Sequence, residues 1–340
     1  NDVYLEFDGD KSDLRMLSDY FTFKVPGAEF TPQYRNKYWD GKIRLANLRD
    51  STIYAGLMGD ITKFAKDMDV DCYFEGNKSD ILEPSNTDFL DQFLDILKPY
   101  SKGKRIEMRD YQREAFKTSV LKQRCLLLSP TASGKSLIIY ALIRWWLETH
   151  DRKILIIVPT ISLVGQMFSD FLDYSNEKFT DMHGITGGVQ KQTNQRVVIS
   201  TWQSIYKQPA SWFAQFGSVV VDEVHHAQAK SIQSIMNKMI ICPDRIGLTG
   251  TLQEAKTHEL VLKGLFGSIH KLISTKELMS RDEVSQMNIR LVQLRYGEDD
   301  RKKVKDMNYN EEVEFIITHE ERNKLIAKMA STLPGNTLVV

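Results

Sequence analysis

Cysteine is scarce in this chain of 340 residues: Cys72, Cys125 and Cys242 are odd in number, far apart and without a CxxC pair. That scarcity excludes a disulfide framework and a thiolate zinc site, and it fits a reducing compartment. An excess of one charge is lacking too, since 45 Lys and Arg face 45 Asp and Glu for a formal net charge of +0. A polyanionic partner must then be held by local basic patches, not by the field of the whole molecule. No long apolar run is present. The most apolar stretch, residues 137–147, is interrupted by Arg144 and falls short of the roughly 20 residues that span a bilayer. No signal peptide, repeat or low-complexity tract is visible, and the chain opens on Asn1, not Met, as after processing or trimming of its start. The expectation is a cytoplasmic protein with no membrane partner.

What is there is an ordinary globular balance, 42% hydrophobic and 26% charged, on a chain long enough for two or more domains. Residues 1–100 suggest a small α+β domain. Val3-Tyr4-Leu5-Glu6-Phe7 alternates as a strand does, residues 12–21 have helical spacing, and residues 70–74 are strand-like again. Gly76-Asn77-Lys78-Ser79-Asp80 has the composition of a linker. Thr87 is placed to cap a helix over 88–97, whose Phe89, Leu90, Phe93, Leu94 and Leu97 form one apolar face. Residues 100–105 make a second, basic joint.

From there the pattern changes. Cys125-Leu126-Leu127-Leu128, Ile154-Leu155-Ile156-Ile157-Val158, Val197-Val198-Ile199, Val219-Val220-Val221 and Ile246-Gly247-Leu248 are short apolar runs with room for helices between them, clearest over 136–148 and 162–174. Non-alternating apolar strands separated by helices indicate a parallel sheet covered on both faces, an α/β domain over residues 101–275. Residues 276–340 are expected to hold a strand-like run over 289–294, a charged, exposed connector over 298–314, and a helix over 320–333. Pro334-Gly335 then leads into Thr337-Leu338-Val339-Val340, which starts a new core strand, so a further domain is expected beyond it.

Ser129-Pro130-Thr131-Ala132-Ser133-Gly134-Lys135-Ser136 follows the first core strand and opens a helix. This is the setting of a phosphate loop. Backbone N–H groups of Thr131, Ala132, Ser133 and Gly134 face the anion, Lys135 reaches the β/γ-phosphates, and the Ser136 hydroxyl is offered to Mg²⁺. Ser129 stands where Gly is usual. Asp222-Glu223-Val224-His225 closes the fourth core strand, where ligands bind in open α/β sheets. Asp222 can hold Mg²⁺ and Glu223 can orient and deprotonate water, with His225 completing the candidate catalytic set. The competing reading is a solvated acidic turn, and for His226 alone a plain surface residue is the better one. A second cluster lies in residues 33–44, where Arg35, Lys37, Lys42 and Arg44 are interleaved with Tyr34, Tyr38 and Trp39. Cations among aromatics suit phosphate neutralisation and base stacking. Equally, the aromatics can pack a small core while the cations are solvated.

These motifs, in this order from Arg109 to Thr251, resemble the DExH-box branch of superfamily 2 helicases, and within it the UvsW-type phage recombination helicases. The resemblance implies a RecA-like P-loop motor domain using ATP and Mg²⁺. It assigns Gln112, in Arg109-Asp110-Tyr111-Gln112, to adenine recognition with Arg109 as helper. Val158-Pro159-Thr160-Ile161-Ser162-Leu163, Thr186-Gly187-Gly188 and Ser200-Thr201-Trp202-Gln203-Ser204 resemble nucleic-acid-contacting motifs, with Pro159, Thr160, Gly187, Gly188 and Thr201 as the contacts. Gly247-Leu248-Thr249-Gly250-Thr251 resembles the motif that couples hydrolysis to domain movement through Thr249 and Thr251, with Gly250 where many relatives have Ala. A second basic stretch, residues 102–124, is partly the adenine motif. The implied activity is remodelling of branched DNA in recombination, repair or replication, in the host cytoplasm if phage-encoded, alongside recombination or replication proteins. An RNA helicase or a restriction-type duplex translocase subunit are alternatives within the class. A non-catalytic ATP switch is the alternative outside it, and Glu223 weighs against that. Relatives complete the ATP site with arginines from a second RecA-like domain, and Arg295 and Arg301 do not resemble that motif.

Overall fold

A computed structural model describes residues 1–75, 87–224, 229–250, 256–285 and 291–333. The linker at 76–80, His225, His226, Thr251, the first part of the 289–294 run and the final strand at 337–340 lie outside the described residues. The chain divides into two compact units, Asn1–Val284 and Ser285–Val340.

The first unit opens with β1 (Tyr4–Glu6), α1 (Lys11–Tyr20), β2 (Thr22–Lys24), α2 (Pro32–Arg35), β3 (Lys42–Arg44), β4 (Ala46–Asn47), β5 (Thr52–Tyr54) and α3 (Met58–Asp67). Strands β1, β5 and β4 form an antiparallel sheet in that order, and β2 pairs with β3. The strand expected over 70–74 does not form. Asp69 turns the chain out of α3 at φ 55°, and residues 70–74 pair with no described strand. Helix α4 (Asp88–Leu97) buries Leu90 and Leu94 as its apolar stripe requires. Thr87 precedes it in a helical conformation and its side chain makes no capping bond. The basic joint is a small hairpin of β6 (Tyr100–Ser101) and β7 (Lys104–Arg105), turned through left-handed Lys102 and Gly103.

The main sheet comes next. Its elements are α5 (Asp110–Lys122), β8 (Arg124–Leu128), α6 (Lys135–Thr149), β9 (Lys153–Val158), α7 (Ile161–Tyr174), β10 (Met182–Ile185), β11 (Val197–Thr201), α8 (Trp202–Ile205), α9 (Ala210–Phe213), β12 (Phe216–Val221), α10 (Ala229–Lys238), β13 (Asp244–Thr249), α11 (Lys256–Phe266), β14 (Ser268–Lys271) and α12 (Thr275–Ser280). The strands run in the order β10-β11-β9-β12-β13-β8-β14, all parallel. All their carboxyl ends therefore meet at one edge. Strand periodicity sorts the core into two layers. Cys125, Leu127, Ile154, Ile156, Val220 and Ile246 face a cluster with α4 to α7. Leu126, Leu155, Ile157, Val219 and Val221 face one that includes α10, α11 and the N-terminal Val3, Phe21, Ile53 and Leu57.

That second cluster joins the N-terminal segment to the sheet domain through a close backbone approach. A Cβ at Gly56 would overlap backbone atoms of Lys263, Gly264 and Gly267, the last at 2.8 Å. Gln233 Nε2 donates to the Tyr54 hydroxyl at 2.7 Å, and Lys263 pairs with Asp60 at 3.5 Å. In the second unit, the charged stretch expected as a connector over 298–314 is helical instead, in α13 (Glu298–Val304) and most of the way into α14 (Tyr309–Thr318), while α15 (Glu320–Thr332) forms where a helix was expected. Asn308 and Glu311 form a capping box that starts α14. Residues 291–297, which include the described part of the expected strand, carry no regular element. Among the described residues no helix is long and apolar enough to cross a membrane.

Candidate nucleotide site and nucleic-acid groove

The phosphate loop joins the end of β8 to the start of α6. Its turn needs two left-handed residues, Ala132 at φ 66° and Gly134 at φ 77°. Ser129, in place of the usual glycine, is fully buried and its hydroxyl sits 2.5 Å from that of Ser133, which also donates to the Pro130 carbonyl at 2.7 Å. The substitution thus closes the loop on itself. Ser136 Oγ lies 2.8 Å from the Tyr174 hydroxyl on α7.

Asp222 and Glu223 come directly after β12, two strands from β8 in the sheet. Lys135 Nζ forms an ion pair with Glu223 Oε1, and the Gly250 N–H donates to Glu223 Oε2 at 3.4 Å. Glu223 sits at φ 48°, a strained conformation for a residue with a side chain. Burial pushes the Asp222 carboxyl up to about 6, against the pull of Lys135 and with the help of the Glu223 charge. A divalent cation would relieve that cost, so Asp222 fits a metal ligand, and Ser136 Oγ keeps a lone pair for the same ion when its hydrogen goes to Tyr174. Among the described residues no three acidic, His or Cys side chains converge on one point. Mg²⁺ does not need them, since one or two carboxylates and the substrate phosphates commonly suffice.

Gln112 is buried and turned into the loop. Its Nε2 donates to the Ser133 carbonyl at 2.9 Å, and its Oε1 accepts from the Arg109 N–H at 2.9 Å. A Cβ at Gly134 would overlap this amide. Arg109 pairs with Glu283 at 3.0 Å, the Tyr111 hydroxyl lies 3.1 Å from the Ser133 carbonyl, and Arg281 pairs with Asp110 at 2.7 Å. Tyr111, Arg281 and Glu283 are additions to the expected site. Nothing in the sequence brings residue 283 to residue 109.

Pro159, Thr160, Gly187, Gly188 and Thr201, all at or just past the carboxyl ends of β9, β10 and β11, line one groove of about 610 Å³. Thr160 caps α7 by accepting from the Leu163 N–H at 3.3 Å. Ile161, Thr186, Lys191, Gln203 and Ser204 complete the wall, and of these Lys191 alone lies outside the motifs. The N-terminal cluster is divided. Arg44 is paired with Asp40 at 2.5 Å, and Trp39 Nε1 donates to the Lys42 carbonyl at 2.8 Å, so both support the loop. Arg35, Lys37 and Lys42 are exposed, and the open aromatics are Tyr38 and Phe30, 85% and 72% exposed. Thr249 is buried at the end of β13; His225 and Thr251 are among the undescribed residues.

Sheet order, phosphate loop and strand-end acids define a RecA-like P-loop motor domain. Residues 105–254 match the family described as Type III restriction enzyme, res subunit, and residues 2–75 match the one described as DNA helicase UvsW, N-terminal. The chain is 37% identical over 334 residues to the ATP-dependent DNA helicase uvsW of Enterobacteria phage T4, covering 97% of this chain and 66% of that protein. It thus spans just under two thirds of that relative's length. A crystal structure of the UvsW helicase from bacteriophage T4 superposes with a TM-score of 0.73 at 36% identity, covering 80% of this chain and 97% of the solved one. A second T4 UvsW structure gives 0.75 at 35% identity, covering 97% and 65%. A DNA 3'-5' translocase, XPB2 of Sulfurisphaera tokodaii, is 30% identical over 180 residues, 52% of this chain and 38% of its own. The chain belongs to the UvsW helicase family.

Proposed function

We propose that the chain is the nucleotide-binding part of an ATP-dependent DNA helicase or translocase that remodels branched DNA in recombination and repair. The observation that carries this reading is the convergence of Lys135, Asp222 and Glu223 at the same carboxyl edge of the sheet as the groove between β9, β10 and β11. Lys135 would leave Glu223 for the β/γ-phosphates, freeing the glutamate to take a proton from the attacking water. Asp222 and Ser136 would hold Mg²⁺, which when bound offsets phosphate charge. The Gly250 N–H on Glu223 gives the coupling motif a direct contact with the water-activating carboxylate. The α7 N-terminus, Gly187, Gly188 and Lys191 suit the phosphates of a strand in the groove. In this reading residues 1–100 are an accessory DNA-binding part, with Arg35, Lys37 and Lys42 as its phosphate contacts. Residues 101–275 are the motor, and 276–340 include a connector.

The match of residues 105–254 to the restriction family favours a second reading, a duplex translocase. The test is ATP turnover by the full-length protein with branched DNA, single strands, unbranched duplex and RNA side by side. Strongest stimulation by branched DNA is expected. Stimulation by unbranched duplex alone would select the second reading, and equal stimulation by RNA would remove the DNA assignment. The 340 residues alone should turn over slowly, because the resemblance places the finger arginines on a second RecA-like domain, and losing a finger costs on the order of 10³–10⁵ in rate.

A further inference from the structure

Beside the groove lies a second recess of about 730 Å³ that no motif accounts for, walled by Gln190, Gln192, Asn194, Gln208, Ser211 and Trp212 among others. The two cavities are built from the same two segments. Residues 186–196 give Gly187, Gly188 and Lys191 to the groove, and Gln190, Gln192 and Asn194 to the recess. Residues 201–212 do likewise, with Thr201, Gln203 and Ser204 in the groove and Gln208, Ser211 and Trp212 in the recess. Both segments therefore pass from one cavity to the other in the same direction, and Lys191 stands at the boundary.

The first segment is held by its carbonyl groups. The His183 ring nitrogen Nε2 sits 2.8 Å from the Gln190 carbonyl, Trp212 Nε1 donates to that of Lys191 at 3.1 Å, and Lys153 Nζ donates to that of Thr193. These anchors fix the backbone and leave the side chains free. Among the described residues, the carboxamides of Gln190, Gln192, Asn194 and Gln208 have no hydrogen-bond partner. Among the described residues no charged side chain lines the recess. A phosphate would find no cation there, whereas a group with donor and acceptor on one edge would find several matching amides. Nucleobase edges have that chemistry, and a carboxamide can pair with one in two hydrogen bonds.

We propose that this recess is a nucleobase subsite. It takes unpaired bases of the strand whose phosphates lie in the adjoining groove and contacts their edges through Gln190, Gln192, Asn194 and Gln208. The proposal rests on the groove being a nucleic-acid site, and its test separates the two. Binding of single-stranded oligonucleotides of increasing length is followed by fluorescence anisotropy on the 340-residue chain. The comparison is with Gln190→Ala/Gln192→Ala/Asn194→Ala combined and with Gln208→Ala alone, which perturbs a different segment. Wild-type affinity should rise with length until the recess is filled. The triple variant should equal wild type on the shortest strand that binds, and lose about tenfold on longer ones. A long strand with abasic sites at the added positions keeps every phosphate and should bind wild type as weakly as the variant binds the normal strand. If the variants and wild type bind long normal and abasic strands alike, the recess does not take bases and serves another kind of partner. If the wild-type chain binds no strand at all, the groove assignment fails first and the recess assignment with it.

Discussion

Lys135 and Glu223 neutralise each other across the phosphate loop, so nucleotide binding must begin with an exchange of partners. Lys135→Ala should weaken ATP binding and hydrolysis together, since it removes a phosphate contact. Glu223→Gln should keep Mg·ATP affinity and lose about 10²–10⁴ in hydrolysis, the usual worth of a general base. Nucleotide titration beside single-turnover kinetics on the full-length protein separates the two, and wild-type turnover in Glu223→Gln would remove the assigned role. In this geometry both ends of the Gln112 amide are engaged by the protein itself. The amide braces Ser133, so Gln112→Ala should lower affinity for every nucleotide through the loop. If the side chain also turns to meet adenine, ATP should lose more than GTP or UTP. Equal losses in a competition assay would leave Gln112 with loop support alone.

At the scale of elements, legibility in the sequence tracks burial. Five strands of the main sheet are apolar on both faces and stand out as runs. Edge strands β10 and β14, with the sequences MHGI and SIHK, keep one side partly in solvent and do not. The phosphate loop and strand-end acids are legible because each is contiguous. The motifs of the groove are legible one by one, but their meeting is not, because Pro159, Gly187 and Thr201 come together through the sheet order β10-β11-β9, a long-range pairing that no local pattern states. At the opposite edge, Asp244 opens β13 in a buried cluster: Ser218 Oγ donates to it at 3.0 Å and contacts His150 Nε2 at 2.8 Å. Burial pushes the Asp244 carboxyl up to about 6. The folded state therefore holds this proton more tightly than the unfolded chain. The resulting stabilisation is present below the unfolded value of about 3.9 and is lost as pH rises through about 6. His150, lowered by burial and by Arg196, acts in the opposite sense, so the comparison must be against a variant. Relative to wild type, Asp244→Asn should gain up to roughly 3 kcal/mol between pH 4 and pH 7.5. Denaturant melts at the two pH values measure the gap, and a gap that does not change would mean the carboxyl is not strained by burial.

Over the whole first unit, the N-terminal segment is packed as part of the motor domain. Phe21, Ile53 and Leu57 share one buried cluster with Val261, Leu265 and Phe266 of α11, and Asp2 donates its N–H to the Ile240 carbonyl at 3.0 Å. Helix α11 therefore packs directly on the segment that carries Arg35, Lys37 and Tyr38. The docking depends on Gly56, where any side chain meets backbone that cannot turn aside. Removing residues 1–75 should expose the apolar faces of α10 and α11, leaving the remainder aggregation-prone with a lower melting temperature. Gly56→Leu gives the finer test, because it keeps both parts and strains only their junction. It should cost about 1–3 kcal/mol or more, as overpacking does, while the melt stays a single cooperative transition. Two resolved transitions in the wild-type chain, with the later midpoint unmoved by either change, would instead show that the N-terminal segment folds as a separate domain.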